Sequence, residues 1–382
     1  MVDVDRFILD LTNGKVPDLV YGNISDTIDT IGIYNSNRVF NALVRGGLVE
    51  DLYTFLDNDP NLGREDFLPK ALEAMEYQNK LVVASKSFGI STYMAKPDYV
   101  SNSDMFTIAD MYDALKKMPD GASVFSGMKR TEILYEALHY NVFFDPVTGL
   151  VDFENDAFIE VLDFVKNIPS SKENFDERSY TFRNYFTTPL PEDESISLFD
   201  DIMLINTTVF LTYRYFFESE VLYGFTPVYI GFPNSNGVGA RFNIRRGILM
   251  TTACKEKEAA WEFIKKLFLD YRNPKEEDEW LAAEFSTNIN TFNARLEFNN
   301  EAPASHHSDG IGIGIYRSKL SQYEIDLLMN LIDNATVYKL DSRIWPIISE
   351  QAELYFAGEK TAKEVAQNIQ NRVQIFYDEQ YG

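Results

Sequence analysis

Cysteine is nearly missing from this sequence. The 382 residues hold one, Cys254, which excludes an internal disulfide, a four-cysteine zinc site and a Cys-x-x-Cys redox pair. Histidine is almost as scarce, at three. His306 and His307 adjoin one another in a polar loop and His139 stands alone, so a histidine metal centre has too few ligands. Positive charge is short as well: 35 Lys and Arg face 59 Asp and Glu, for a net charge of −24 and a pI near 4.5. Such a field repels phosphate backbones and anionic lipid headgroups, which disfavours nucleic-acid and membrane-surface partners. No apolar run approaches the roughly eighteen residues needed to span a bilayer. The opening residues, Met1 to Phe7, carry neither a basic n-region nor an apolar h-region, and no lipid-attachment cysteine. On sequence grounds that means a cytoplasmic chain, or one whose front has been removed.

Catalytic signatures are missing too. There is no G-x-x-x-x-G-K-S/T, no H-E-x-x-H and no G-x-S-x-G. Gly310-Ile-Gly-Ile-Gly314 has no third glycine at the spacing a phosphate cradle needs, and it reads as a loop or strand. The acidic runs Glu192-Asp193-Glu194, Asp200-Asp201 and Glu276-Glu277-Asp278-Glu279 read as solvated faces, and nothing singles out two carboxylates for a glycosidase. Cys254 falls just before a helix but has no histidine nearby in the sequence, so it reads as an inert small residue. Carboxylate-rich loops could hold calcium, yet no calcium-loop array specifies it.

What is present is a globular chain, 45% hydrophobic and 25% charged, long enough for two domains. Helical stripes alternate with short apolar strands, an α/β signature. A helix ends at Gly14, followed by Pro17-Asp18 and a strand at Leu19-Val20-Tyr21. Val39, Phe40, Leu43 and Val44 form a stripe stopped by Gly46-Gly47, and another runs from Phe67 to Met75 before the strand Leu81 to Ala84. Capping boxes are predicted at Thr107…Asp110, Ser321…Glu324 and Thr361…Glu364. Further stripes lie at Phe158 to Val165, and at Ala260, Phe263, Ile264, Leu267 and Phe268. Phe225 to Ile230 and Arg246 to Thr252 read as strands, with Gly231-Phe232-Pro233-Asn234 a turn between them. Residues 170–195 and 300–312 read as loops. No composition break divides the chain, so two domains imply more than one crossing between them.

A binder of neutral sugars needs aromatic faces, hydroxyl-matching polar groups and no nucleophile, and the 14% aromatic content is compatible with that. Four segments then carry a resemblance. Gly14-Lys-Val-Pro-Asp-Leu-Val20 and Gly47-Leu-Val-Glu-Asp-Leu52 resemble consecutive elements of family 1 extracellular solute-binding proteins, the maltose-binding-protein-like capture subunits of carbohydrate ABC importers. Gly231-Phe-Pro-Asn-Ser-Asn-Gly237 with Cys254-Lys-Glu-Lys-Glu-Ala-Ala-Trp-Glu-Phe-Ile264 resembles a third block. Ile348 to Ala366 is similar to the family's closing block. Each piece is weak alone; four in the right order over residues 14 to 366 are specific.

The resemblance implies a two-lobe α/β fold, the type II periplasmic-binding-protein or Venus-flytrap arrangement, with hinge crossings near 94, 244 and 298. Lobe 1 would hold 1–94 and 245–298, and lobe 2 would hold 95–244 and 299–382. It implies an extracytoplasmic subunit that captures a neutral oligosaccharide by hinge closure and delivers it to permease subunits. The implied protein is a monomer with no cofactor, no metal and no catalysis, lipid-anchored on the extracellular face or periplasmic in its full-length form. Trp345, at the start of a helix and thirteen positions before Gly358, matches a tryptophan that stacks on sugar in the maltose-binding branch. Asn23 and Asp26 follow the first strand, where the family presents polar groups. Ser87 and Phe88 precede the first crossing. Ser126 and Lys129, Asn206 and Phe210, and Trp280 complete the implied ligand set. Asp18, Tyr213 and Tyr215 are weaker candidates, and Trp261 reads as core. Only about a dozen residues precede Gly14, where the family carries a strand, a helix and usually a second strand, so the resemblance also implies an incomplete first lobe. The alternatives are a scaffold or surface protein that kept the fold and lost its ligand, an acidic glycoside hydrolase, and a peptide- or polyol-binding relative.

Overall fold

The computed structural model describes residues 4–23, 27–29, 32–34, 38–95, 97–100, 106–118, 123–125, 128–168, 202–209, 228–234, 239–244, 246–269, 285–301, 321–338 and 340–381. These residues cluster into two compact units. The first takes 1–90 and 242–302, and the second takes the described residues of 91–241 together with 303–382.

In the first unit, helix Val4–Thr12 stops at Gly14, and strand Leu19–Asn23 follows. That strand pairs antiparallel with Arg246–Met250, Leu19 opposite Met250 and Asn23 opposite Arg246. On the other side of Arg246–Met250, Ile248 exchanges both backbone hydrogen bonds with Ala84, at 2.8 and 2.9 Å. The predicted strand Leu81 to Ala84 is therefore reduced to Lys80–Leu81 and the bridge at Ala84. Helices Arg38–Arg45, Pro69–Met75 and Lys257–Leu269 belong to the same unit. Ala260 and Ile264 of the last one are buried, but Phe263, expected on the same stripe, is 53% exposed. The inward position goes to Trp261, whose ring stacks on Phe55 at 5.9 Å and whose Nε1 donates to Asp59 at 2.8 Å. Lys265 donates to the same carboxylate at 2.9 Å. Burial raises the Asp59 pKa, but the hydrogen bonds from Lys265, Asn61 and Trp261 outweigh it and hold the carboxyl below its usual range.

Strand Ser87–Ala95 begins in the first unit and ends in the second. Its start pairs with Phe285–Ser286 and its end with Val228–Tyr229, both antiparallel. In the second unit Ile202–Val209 runs parallel to Ser123–Phe125. Helices Arg130–Tyr140, Asp156–Asn167, Trp345–Phe356 and Ala362–Tyr381 belong to this unit. Helix Arg130–Tyr140 is buried at every position from Ile133 to Tyr140. A helix enclosed on all sides has no polar face and so shows no stripe in the sequence.

The turn at Gly231 is set by backbone geometry. Its φ is +70°, and a Cβ there would lie 1.9 Å from the Gly239 carbonyl oxygen. Only glycine satisfies both conditions. The turn delivers Phe232, fully buried, into a ring cluster with Tyr93, Phe125, Tyr140 and Phe164, at centroid distances of 5.6, 5.4, 5.6 and 6.3 Å.

The caps follow the sequence signals. Gly14, Gly47 and Gly358 all have positive φ at helix ends. Thr107 and Asp110 form the predicted box, and helix Gln322–Asp333 begins directly after Ser321. At the last helix, the Thr361 amide donates to Glu364 Oε2 at 2.9 Å while the Glu364 amide donates to Thr361 Oγ1 at 3.2 Å. Thr361→Ala is expected to cost about 1 kcal/mol. Denaturant unfolding would measure this, and an unchanged midpoint would show that packing alone sets the helix start.

Candidate functional site

The second unit presents Trp345. The chain enters its helix through a tight turn in which the Ile344 amide donates to the Asp341 carbonyl at 3.1 Å and the Trp345 amide to the Ser342 carbonyl at 3.2 Å. Pro346 occupies the first turn of the helix, where no intrahelical donor is needed. The indole is half-buried and meets the Tyr135 ring edge-to-face, at 4.9 Å and 77°. Tyr135 is buried and in turn meets His139 edge-to-face at 4.7 Å. Trp345 is thus a partly exposed indole held against a buried ring. Its bracing residue, Tyr135, was not anticipated from the sequence, because the enclosed helix that carries it shows no periodic stripe.

Lys129 precedes helix Arg130–Tyr140, with its side chain exposed and its amide donating to Glu132 at 2.8 Å. Lys129 and Trp345 therefore sit at the starts of two helices of one unit, joined through the Tyr135–Trp345 contact. Asn206 lies in strand Ile202–Val209. Ser126, Phe210, Tyr213 and Tyr215 lie outside the described residues.

In the first unit, Asn23 closes strand Leu19–Asn23 opposite Arg246. Ser87 is half-buried opposite Ser286, and its carbonyl accepts from Ser85 Oγ at 2.9 Å. Asn23 thus belongs to the two-stranded pairing of Leu19–Asn23 with Arg246–Met250, whereas Ser87 opens strand Ser87–Ala95 of a separate, six-stranded sheet. Phe88 is 3% exposed, its ring stacked on Phe242 at 4.3 Å with Phe285 and Phe292 beyond. That ring is committed to core packing. Asp26 and Trp280 lie outside the described residues. Asp18 is exposed, and its carbonyl accepts from the Thr251 amide at 3.0 Å. Cys254 is buried; burial first, and then the nearby Asp18 carboxylate, pushes its thiol pKa up, the opposite of an activated nucleophile.

The ionisable groups near Tyr135 are inward-facing. His139 is 6% exposed, and its Nδ1 lies 2.9 Å from the Tyr135 carbonyl. Burial, reinforced by the positive charge of Arg241, holds its pKa well below the usual imidazole value. Glu136 faces Arg241, with 3.9 Å between Oε1 and Nη2 and both side chains largely buried. Among the described residues, no group of three or more His, Cys, Asp or Glu side chains could hold a metal ion. Nor, among them, is any helix long and apolar enough to cross a membrane.

No protein-family model matches the chain, and no curated protein matches it. Solved structures do. The sugar-binding protein MalE from Xanthomonas citri aligns over 98% of this chain and 87% of its own, with a TM-score of 0.62 and 13% identity. An ABC substrate-binding protein from Listeria monocytogenes in complex with cycloalternan covers 97% and 88%, with a TM-score of 0.56 and 14% identity. An ABC-transporter-associated binding protein from B. animalis subsp. lactis, in complex with β-1,6-galactobiose, covers 98% and 88%, with a TM-score of 0.55 and 13% identity. The chain has the fold of these proteins, a two-lobe mixture of helices and strands. Each of the three is a binding protein by name.

Proposed function

We propose that this chain is the substrate-binding subunit of an ABC importer, that it captures a neutral oligosaccharide between its two lobes by hinge closure, and that it catalyses nothing. The observation that carries the reading is Trp345, a half-buried indole fixed against Tyr135 at the first turn of a helix. It belongs to a fold whose solved examples include complexes with cycloalternan and β-1,6-galactobiose. A pyranose ring stacks on such a face, and Asn23, Ser87 and Lys129 supply polar groups for its hydroxyls. Asp26, Ser126, Asn206, Phe210 and Trp280 remain in the proposed ligand set. A net charge of −24 favours an uncharged ligand over a uronate or a phosphate ester. The protein would act as a monomer outside the cytoplasm, lipid-anchored or periplasmic, and hand its sugar to permease subunits. Ligand would shift the open–closed population by its greater affinity for the closed form.

A thermal-shift panel tests this, with maltotriose, cellobiose, xylotriose and β-1,6-galactobiose run on wild type and Trp345→Ala. A sugar at about one hundred times its dissociation constant adds about 2.7 kcal/mol, which raises the melting temperature by several degrees. The expected result is a shift for one sugar class in wild type and none in the variant. Equal shifts in both proteins would remove Trp345 from the site. No shift with any neutral oligosaccharide would instead favour a scaffold that has kept the fold without the ligand.

A further inference from the structure

The turn that launches the Trp345 helix is held by a residue from the last turn of a different helix. The Asp341 side chain is 2% exposed, yet it is well supplied with donors. Its Oδ1 accepts from the Arg343 amide and from Arg343 Nε, each at 3.1 Å. Its Oδ2 accepts from Arg343 Nη2 at 2.8 Å and from the Tyr381 hydroxyl at 2.9 Å. Arg343 Nη2 also donates to the Tyr381 oxygen at 2.5 Å, so the three side chains close a ring. Rings hold the guanidinium in place: Phe376 and Tyr381 have centroids 4.8 and 5.5 Å from its central carbon. Tyr381 itself stacks on Tyr377 at 5.4 Å.

We infer that Asp341, Arg343 and Tyr381 form a clasp that positions Trp345. Asp341 does two jobs at once. Its carboxylate binds the Arg343 amide and the distant tyrosine, while its carbonyl accepts the Ile344 amide. The backbone of residues 341–345 is thereby fixed before the helix starts. The far end of the same helix is pinned separately: the Tyr355 hydroxyl donates to Asp163 at 2.5 Å, and Lys166 donates to the Tyr355 carbonyl at 2.8 Å. With both ends held, the remaining freedom of the indole is its angle to Tyr135. An edge-to-face contact depends on that angle, and a binding group must be held by supporting residues to keep its geometry. These are positioning residues; none needs to touch ligand. The inference deepens the sugar-binding reading and rests on Trp345 as its platform.

The test reads Trp345 directly, without sugar. Protein labelled with 5-fluorotryptophan is compared by fluorine NMR as wild type, Tyr381→Phe and Asp341→Asn, with Trp345→Phe and Trp261→Phe assigning two of the resonances. Tyr381→Phe removes one hydroxyl and keeps the stacked ring, so the fold should survive. The expected result is a shifted and broadened Trp345 resonance in both variants, with Trp261 unmoved because it belongs to the first unit. An unchanged Trp345 resonance in both variants would overturn the clasp. So would equal disturbance of Trp261, since the hydroxyl would then be supporting the whole fold. Failure of the sugar reading shows up elsewhere, as identical sugar shifts for wild type and Trp345→Ala.

Discussion

Replacing Phe232 with alanine is expected to lower the stability of the protein by about 3–5 kcal/mol. The side chain is fully buried and lies parallel to Phe125 and Tyr140, at 5.4 and 5.6 Å, with Tyr93 and Phe164 meeting it edge-on. These partners come from two strands and two helices of the second unit. They cannot all close on the void together, so both the transfer loss and the cavity remain. Phe232→Leu should recover part of the loss. Urea unfolding followed by circular dichroism would measure both variants. A cost below about 1 kcal/mol for the alanine variant would mean that the ring cluster repacks freely, contrary to the rigidity argued for it.

Acidification is expected to destabilise the protein through His139. The folded protein holds this imidazole neutral, with its pKa well below the ordinary value, because burial and then the Arg241 charge oppose protonation. The bond to the Tyr135 carbonyl pulls the other way and is outweighed. Glu136 on the same helix faces Arg241. In the unfolded chain the imidazole takes up its proton near pH 6.5. Below that value the unfolded state binds more protons than the folded one, and stability therefore falls as pH falls. The contribution is fully present above about pH 6.5 and declines until the folded pKa is reached, at about 1.4 kcal/mol for each unit of depression. Carboxylates such as Asp59, held low in the folded state, give way only in a more acid window. Melting temperature measured from about pH 7.5 to about pH 5 should slope downward in wild type and flatten in His139→Phe. Equal slopes would assign the acid sensitivity to other groups.

The sequence showed its punctuation most clearly. Helix ends at Gly14, Gly47 and Gly358, and the boxes at Thr107 and Thr361, depend on a few neighbouring residues and are found in the structure as expected. Amphipathic stripes such as Phe158 to Val165 were legible for the same local reason. Helix Arg130–Tyr140 was not. It is enclosed on all sides, with Glu136 and His139 taken inside alongside leucine and isoleucine, so neither a stripe nor a polar face marked it. Phe232 was read as part of a turn, which it is; that the turn exists to place a ring at the centre of a core could not be seen from four residues. Phe263 has the spacing of a buried residue but is exposed; Trp261, which reads as core, takes the inward position, and its nitrogen finds Asp59 some two hundred residues earlier. In the candidate site, Trp345 is singled out by the family resemblance, through its spacing to Gly358, while its proline marks only the helix start. Its supports are not, because Tyr135 and Tyr381 are brought to it only by tertiary packing.

The interleaving of the two units has a consequence for how the protein is born. Strand Leu19–Asn23 cannot find its partner until Arg246–Met250 has been synthesised, 223 residues after Asn23. At about 5–20 residues per second a ribosome takes roughly 10–45 s to cover that distance. The second unit, started later, waits in turn for residues 303–382. Leu19–Asn23 therefore stays without its strand partner through more than half of translation. That delay leaves time for any machinery that must handle the chain before it folds.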